Sequence, residues 1–507
     1  MTNLMILEAQ KFINTTYNRG VTIGTSAVTE DGNSTWETMF ALTRALQYEL
    51  GITSLSDSFG PSTLSILESK FPTINNTENI PINIIKIIQT GLHCKGYNGG
   101  KIDGIYSKEV QDSVLNIKND MGLSEIFPGS GIEAKIVKGL LNMDSYTLAS
   151  NGDLSIRQVE QWLNKSYIAR KNFQVIPTEG INSRTVAQSM LFAIQYESGM
   201  TDEIANGVFG PGTQGSIKNH VLEVGSTGIW SRLFTAAMIL NKYFVTFGDY
   251  TEEVADAVSK FQKFASLPVT GKADFATWSS LLVSHGDKSR AGSACDGVTK
   301  ITAPRAQALY AAGYRYIGRY LYNPSTKNLL EKQIQPGELD VISSHGLSCF
   351  PIYQTYNDSV DYFTSQQGAD DAKNAIFWAK KFGFKKETVI YFAVDYDALD
   401  QEISSHILPY FQAINIFISE NSEYKVGVYE SRNICQRIFS EGLSQTSFVA
   451  DMSSGYSGNS GYPLPENWAF DQIDTVHIGE GESFIEIDKN VASGIDLGQN
   501  TFDSSVE

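Results

Sequence analysis

A series of all-α modules followed by an α/β (β/α)8 barrel of the TIM type is the architecture this sequence predicts, on three observations. The first 285 residues repeat themselves with helical spacing, the segment 286–293 is small and polar, and from residue 294 onward apolar strand-like runs alternate with helical stretches. A chain of 507 residues also exceeds what one ordinary core can organise. The expected division is 1–78, 79–150, 151–222 and 223–285 as helical modules, 286–293 as a linker, 294–497 as the barrel and 498–507 as a polar, frayed tail.

The repeat is read directly from matched blocks. Ala45-Leu46-Gln47-Tyr48-Glu49-Leu50-Gly51 returns as Ala193-Ile194-Gln195-Tyr196-Glu197-Ser198-Gly199, and Phe59-Gly60-Pro61-Ser62-Thr63 returns as Phe209-Gly210-Pro211-Gly212-Thr213. Asn14-Thr15-Thr16-Tyr17 returns loosely as Asn164-Lys165-Ser166-Tyr167. Each long repeat divides again. Gly96-Tyr97, Ile102-Asp103-Gly104-Ile105-Tyr106 and the helically spaced Val110, Val114 and Ile117 have counterparts in Phe247-Gly248-Asp249-Tyr250, in Val254, Val258 and Phe261-Gln262, and in Leu267-Pro268-Val269-Thr270-Gly271. The grammar is helix, Gly-containing turn, amphipathic helix, turn, short helix. In these motifs the segments 80–146 and 225–284 resemble the peptidoglycan-binding-domain-like family, small three-helix modules that accompany cell-wall hydrolases; 1–75 and 155–220 are more divergent.

Beyond the linker, strands are expected at 294–298, 316–321, 347–354, 388–397, 425–430, 448–452, 469–473 and 484–488. The fourth run, Ile390-Tyr391-Phe392-Ala393-Val394, is continuously apolar and ends in Asp395-Tyr396-Asp397. In parallel α/β proteins ligands bind at the carboxyl ends of strands. Asp296 ends the first run, Arg319 and Tyr320 lie in the second, and Tyr353 and Gln354 end the third. Tyr429 and Glu430 end the fifth, Asp451 ends the sixth, Gln472 lies in the seventh and Asp488 in the eighth. Crowded carboxylates raise one another's pKa, which keeps one protonated as a general acid. Such a group protonates a leaving glycosidic oxygen while its neighbours stabilise positive charge at the anomeric carbon. Aromatic neighbours, Trp468 and Tyr429 among them, are candidates to stack on sugar rings.

Residues 293–496 resemble the glycoside-hydrolase-like barrels related to the family 25 muramidases. The carriers are Cys295-Asp296-Gly297, Tyr316-Ile317-Gly318-Arg319-Tyr320-Leu321, Pro351-Ile352-Tyr353-Gln354, Ile390 through Asp397, Val426-Gly427-Val428-Tyr429, Val449-Ala450-Asp451, Trp468 with Gln472, and Ile487-Asp488-Lys489-Asn490. The resemblance implies catalytic roles for Asp395, Asp397, Asp296 and Glu430, and substrate contacts for Arg319, Tyr353, Gln354, Tyr429, Asp451, Trp468, Gln472 and Asp488. Asp397 stands where the muramidases carry their catalytic Glu, one methylene longer, which makes Glu430 the alternative proton donor. Asp395 is then placed to orient a substrate acetamido group whose own carbonyl acts as nucleophile. The implied activity is a lysozyme-like hydrolysis of peptidoglycan glycan strands. The alternative is a weak or inactive glycan-binding or structural wall protein, such as part of a phage or secretion assembly.

Composition narrows the partners. A net charge of −17 argues against nucleic acid and against an anionic membrane surface. Cys94, Cys295, Cys349 and Cys435 form no CxxC pair, so a disulfide framework, a zinc site and any other metal or cofactor are not expected. No Gly-x-Ser-x-Gly elbow, P-loop or His-Glu-x-x-His is found, and six histidines are scattered. The N-terminal residues show no signal peptide, so an extracellular or wall-associated protein would be released by lysis or by a non-classical route. The expected partner is peptidoglycan or a related wall glycan, without membrane insertion.

Overall fold

A computed structural model describes residues 3–76, 78–324 and 331–503. The chain forms two compact units, Met1–Val208 and Phe209–Glu507.

The first unit contains helices α1 (Leu4–Thr16), α2 (Trp36–Glu49), α3 (Pro61–Lys70), α4 (Ile82–Cys94), α5 (Lys108–Asp120), α6 (Ala134–Leu140), α7 (Leu154–Tyr167) and α8 (Arg184–Glu197). The starts of α1, α7 and α8 are set by Asn3, Asp153 and Ser183, whose side chains accept from first-turn N–H groups. Val110, Val114 and Ile117 line one face of α5 and join Leu42, Leu46, Ile84 and Ile88 in a common core.

A buried amide holds the turns of this unit. Gln89 in α4 is fully buried. Its Nε2 donates to Lys101 O at 2.6 Å and its Oε1 accepts from Gly104 N at 2.9 Å. Gly104 sits at φ +82°, and a Cβ there would strike Ile82, which explains why the turn is Asp-Gly. Gln47 holds Ser56 and Ser58 in the same way, and Gln195 holds Asn206 and Gly207. In α1 the group is Gln10, which accepts from Gly32 N; in α7 it is Glu160, which accepts from Gly180 N and Ile181 N.

The second unit opens with α9 (Pro211–Lys218), α10 (Ile229–Leu240), α11 (Glu252–Phe264) and α12 (Phe275–Leu282). There Gln262 accepts from Thr270 N and Gly271 N and donates to Lys272 O and Thr277 Oγ1. The barrel follows, with strands β1 (Ala294–Asp296), β2 (Tyr316–Tyr320), β3 (Ser348–Tyr353), β4 (Val389–Ala393), β5 (Lys425–Glu430), β6 (Thr446–Val449), β7 (Trp468–Ile478) and β8 (Ile485–Ala492). It closes in the order β8-β1-β2-β3-β4-β5-β6-β7.

The eight strands are present, but the (β/α)8 expectation is corrected. Strands β1 to β7 run parallel, whereas β8 is antiparallel to both β1 and β7. Helices α13 (Ala303–Ala311), α14 (Glu338–Ser344), α15 (Ser365–Lys381), α16 (Leu408–Asn421) and α17 (Arg432–Ser440) follow the first five strands in turn. Among the described residues no α-helix separates β6, β7 and β8. The reason is length. Only residues 479–484 join β7 to β8, and a parallel return needs about a dozen residues or more.

Two layers of apolar residues result from strand alternation. Tyr320, Phe350, Ile352, Tyr391, Phe448 and Phe470 fill the bore, with Phe350 stacked on Phe470 at 4.0 Å. Gly318 and Gly427 make room for them, since a Cβ at either would collide with Phe350 or Tyr391. Residues of opposite parity, including Ile317, Cys349, Ile390, Phe392, Val426 and Val428, face the helices. All four cysteines are free thiols.

The polar segment 286–293 is packed rather than loose, since Arg290 pairs with Asp471 at 3.2 Å. The tail is likewise held over its described part. Gln499 exchanges backbone hydrogen bonds with Cys349, and Asp503 N donates to Gly383 O; residues 504–507 lie outside the described residues.

Glu160 is fully buried, and burial pushes its carboxyl up to about 8 against the two N–H bonds that lower it. The folded-state pKa lies above the unfolded value, so the native chain holds a proton that the unfolded chain releases. The stability this group confers is full below the unfolded value and is lost as pH rises through about 8. Urea midpoints measured across that interval are therefore expected to fall with pH, and Glu160→Gln is expected to flatten the dependence.

Candidate active site

Parity decides which polar strand residues meet at the mouth of the barrel. Asp296, Gln354, Asp395, Tyr429, Gln472 and Asp488 continue the alternation of the bore residues. Arg319, Tyr353, Glu430 and Asp451 fall on the opposite parity, and Trp468, which shares the parity of Phe470 and Gln472, is turned to the helix side by the register shift between Ser447 and Phe448.

One polar group is centred on Asp296, which is 1% exposed. Its Oδ1 accepts from Gln472 Nε2 and Asn490 Nδ2, each at 3.0 Å, while among the described residues Oδ2 has no partner. Gln472 Nε2 also lies 3.3 Å from Asp488 Oδ2, and Tyr429 donates to Gln472 Oε1 at 3.1 Å. Burial, then the charge of Asp488, raise Asp296 well above the usual carboxylate range.

A second group surrounds Asp395. Gln354 Nε2 donates to Asp395 Oδ2 at 2.6 Å, and Lys332 Nζ donates to Gln354 Oε1 at 3.0 Å. Lys332 lies over the Tyr320 ring at 4.7 Å. Desolvation raises Asp395, and burial lowers Lys332. The charges of Asp296, Asp488 and Asp395 all act on the buried Tyr320 hydroxyl, so Tyr320 joins the two groups. The backbone of Asp395 is fixed as well, since its N–H donates to Asn357 O and Asn357 Nδ2 donates to Ala393 O.

Glu430, of the opposite parity at the end of β5, and Asp397, in the loop after β4, lie close enough beside Asp395 for their charges to act on one another. Glu430 is 1% exposed; Ser431 N donates to its Oε2, and among the described residues Oε1 has no partner. Burial, with the charges of Asp395 and Asp397, pushes the Glu430 carboxyl well above the usual range. Asp397 is exposed and accepts from both Ser457 N and Ser457 Oγ at 2.7 Å.

Four expected substrate contacts are not at the mouth. Arg319 is buried in an ion pair with Glu338 at 2.8 Å and donates to Gly297 O. Asp451 is fully buried against Arg432, whose Nε and Nη2 donate to its two oxygens at 2.8 and 2.7 Å. Trp468 lies at the opposite end of its strand, in edge contact with Phe264 and donating to Phe264 O. Tyr353 turns to the helix layer and donates to Asp371 at 3.1 Å. In each case a strand residue next to a bore residue must face outward, where a charge is tolerated only when paired.

Tyr320, Lys332, Asn490 and Ser457 belong to the site but were not among the expected residues. Alternation would have found two of them. Tyr320 is two positions from Gly318, and Asn490 is two positions from Asp488. Lys332 and Ser457 come from loops and carry no pattern.

The site thus sets a solvent-facing carboxylate, Asp395, near a buried one, Glu430, whose burial favours the protonated form. Unequal protonation of neighbouring carboxyls is the arrangement acid/base chemistry requires. Among the described residues no cluster of His, Cys, Asp and Glu is arranged to hold a metal ion, and no helix is long and apolar enough to cross a membrane.

Removing one partner of a buried ion pair leaves an uncompensated charge. Glu338→Ala would strand Arg319 and also remove the acceptor of Ile301 N and Gln335 N. The expected loss is about 3–5 kcal/mol, read as a lowered unfolding midpoint of the barrel by tryptophan fluorescence. The double change Arg319→Met with Glu338→Leu should recover much of it.

Comparison with known proteins gives a consistent placement. Residues 307–492 match the family described as Rv2525c-like, glycoside hydrolase-like domain, and residues 149–282 match FadG/YbfG, PGDB-like domain. The chain is 48% identical over 503 residues to the uncharacterized protein FadG of Bacillus subtilis (strain 168), covering 98% of this chain and 86% of that one. It is 39% identical over 512 residues to the uncharacterized protein YbfG of the same strain, covering 98% and 68%. Among solved structures, the Mycobacterium tuberculosis Tat-secreted protein Rv2525c in complex with HEPES aligns at 21% identity and a TM-score of 0.35, covering 42% of this chain and 100% of that one.

Proposed function

This chain belongs to the FadG/YbfG family and carries a glycoside-hydrolase-like barrel, and from that premise we propose that the barrel cleaves a cell-wall glycan by carboxylate acid/base catalysis. The observation that carries the reading is the pairing of Asp395 with Glu430. Glu430, whose carboxyl is raised by burial, serves as general acid to the leaving oxygen. Asp395, held by Gln354, stabilises positive charge at the anomeric carbon or orients an acetamido group for attack by the sugar itself. Asp488, bridged by Gln472 to the buried Asp296, contacts sugar hydroxyls. Peptidoglycan is the proposed polymer, with a muramidase-type cut, and the helical modules are proposed to hold the chain on the insoluble substrate. The protein would act outside the cell or at the wall.

A second reading, binding without hydrolysis, is favoured by one specific observation. Asp397, the position where the muramidases carry Glu, is short and tied to Ser457, and the alternative donor Glu430 is almost wholly buried.

Release of new reducing ends from purified walls, with mass spectrometry of the fragments, separates the two. Asp395→Asn and Glu430→Gln are each expected to lower the rate by roughly 100-fold or more. Because Glu430 acts in its protonated form and its pKa is raised, activity should hold to higher pH than an ordinary carboxylic acid allows and be lost as pH rises through that raised value. Retention on walls without any reducing ends from the unaltered chain, across several wall types, would leave the binding reading in its place.

A further inference from the structure

Beside the mouth, between the loop that follows β3 and helix α15, lies a cleft of about 470 Å³ lined by Tyr322, Tyr353, Tyr356, Tyr362, Gln367 and Asn374. Its volume falls in the range of sites that take small molecules, roughly 300–1,000 Å³. The mouth residues do not use it.

Its floor is rigid. Asp371 is 3% exposed and accepts from Tyr353 at 3.1 Å, Tyr362 at 2.6 Å, Tyr410 at 2.7 Å and Gln367 at 2.9 Å. Asn374 donates to the Tyr353 hydroxyl at 3.0 Å, and Thr355 donates to that of Tyr362. With both oxygens of Asp371 engaged by neighbours, the carboxylate fixes tyrosines and is not available as an acid or base. The rings of Tyr322 and Tyr353 are stacked at 6.1 Å and 9°. Tyr356 keeps 43% of its surface exposed at the rim. The cleft is therefore built for binding, with preset aromatic faces and side-chain amides.

The lining selects the ligand class. Among the described residues the lining contains no Lys or Arg, and two carboxylates, Asp370 and Asp371, border it, which favours a neutral ligand over an anion. Flat aromatic faces with amide groups at the edge suit the C–H face and hydroxyls of a neutral sugar ring. The cleft is also joined to the mouth by the chain itself. Gln354 and Asn357 both bond Asp395, and Thr355 and Tyr356, which line the cleft, lie between them.

We propose that this cleft is a second subsite that takes a neutral sugar residue of the same polymer whose neighbouring units lie at Asp395. The proposal rests on the reading of the barrel as glycan-directed. It assigns no catalytic step to the cleft; Tyr356 contributes affinity.

The test is calorimetric titration of the full chain with a tetramer of β-1,4-linked N-acetylglucosamine. Tyr356→Ala should weaken binding about five- to tenfold, Tyr356→Trp should restore it, and Asp395→Ala should weaken it separately. Unchanged affinity in Tyr356→Ala, with loss in Asp395→Ala, overturns the cleft and leaves the mouth standing. Loss in Tyr356→Ala with no effect of Asp395→Ala supports the cleft and overturns the mouth as a glycan site. No binding by the unaltered chain overturns both.

Discussion

In a closed barrel every strand residue faces either the bore or the helices, and two neighbours in sequence cannot share a face. The rest of this barrel follows from that constraint. Large aromatics fill the bore, so polar groups of the same parity are displaced to its open end, where Asp296, Gln354, Asp395, Tyr429 and Gln472 accumulate. The residue beside each is forced outward, where a charge must be paired or, as at Glu430, its charged form is disfavoured. Arg319 finds Glu338, and Asp451 finds Arg432. Site and scaffold are thus two outcomes of one alternation, and the ion pairs that resemble site chemistry in the sequence hold the helices to the strands.

The helical modules obey a comparable restriction on a smaller scale. Short helices joined by tight turns must bury backbone N–H groups that no neighbouring strand or helix can satisfy. An amide, with a donor and an acceptor on one short side chain, answers both needs at Gln10, Gln47, Gln89, Gln195 and Gln262. Glu160 fills the same place in α7, its two carboxyl oxygens accepting from Gly180 N and Ile181 N.

Much of the barrel was legible because apolar runs bounded by turns mark buried strands, and because Asp-x-Asp after such a run marks a strand end. Residues of bore parity, such as Asp296 and Gln472, do lie together. Arg319, Tyr353 and Asp451 lie near strand ends but face outward, and Trp468, implied by the resemblance, stands at the far end of its strand. The direction of β8 was hidden for another reason. The apolar signal of β7 stops near Ile473, but the strand continues to Ile478 with alternating exposure, as half of a ribbon that leaves the barrel wall. The missing residues 474–478 made the connection look long enough for a parallel return. Lys332 reaches Gln354 from a loop, where no periodicity reports on position.

The contacts of Trp468, Arg432 and Arg290 set where this barrel begins as a folding unit. Trp468 donates to Phe264 O, Arg432 to Ser284 O and Arg290 to His285 O, while Ser284 Oγ closes on Asp451 O. A chain cut at the polar segment 286–293 would lose acceptors for a buried indole and a buried guanidinium at once. The sequence boundary between module and barrel is therefore a poor place for scissors: a fragment that keeps these donors partnered must include Phe264 and Ser284, and because the buried Trp278 indole donates to His220 O it must also reach back past α10, so the last helical module is as much a wall of the barrel as its own helices are.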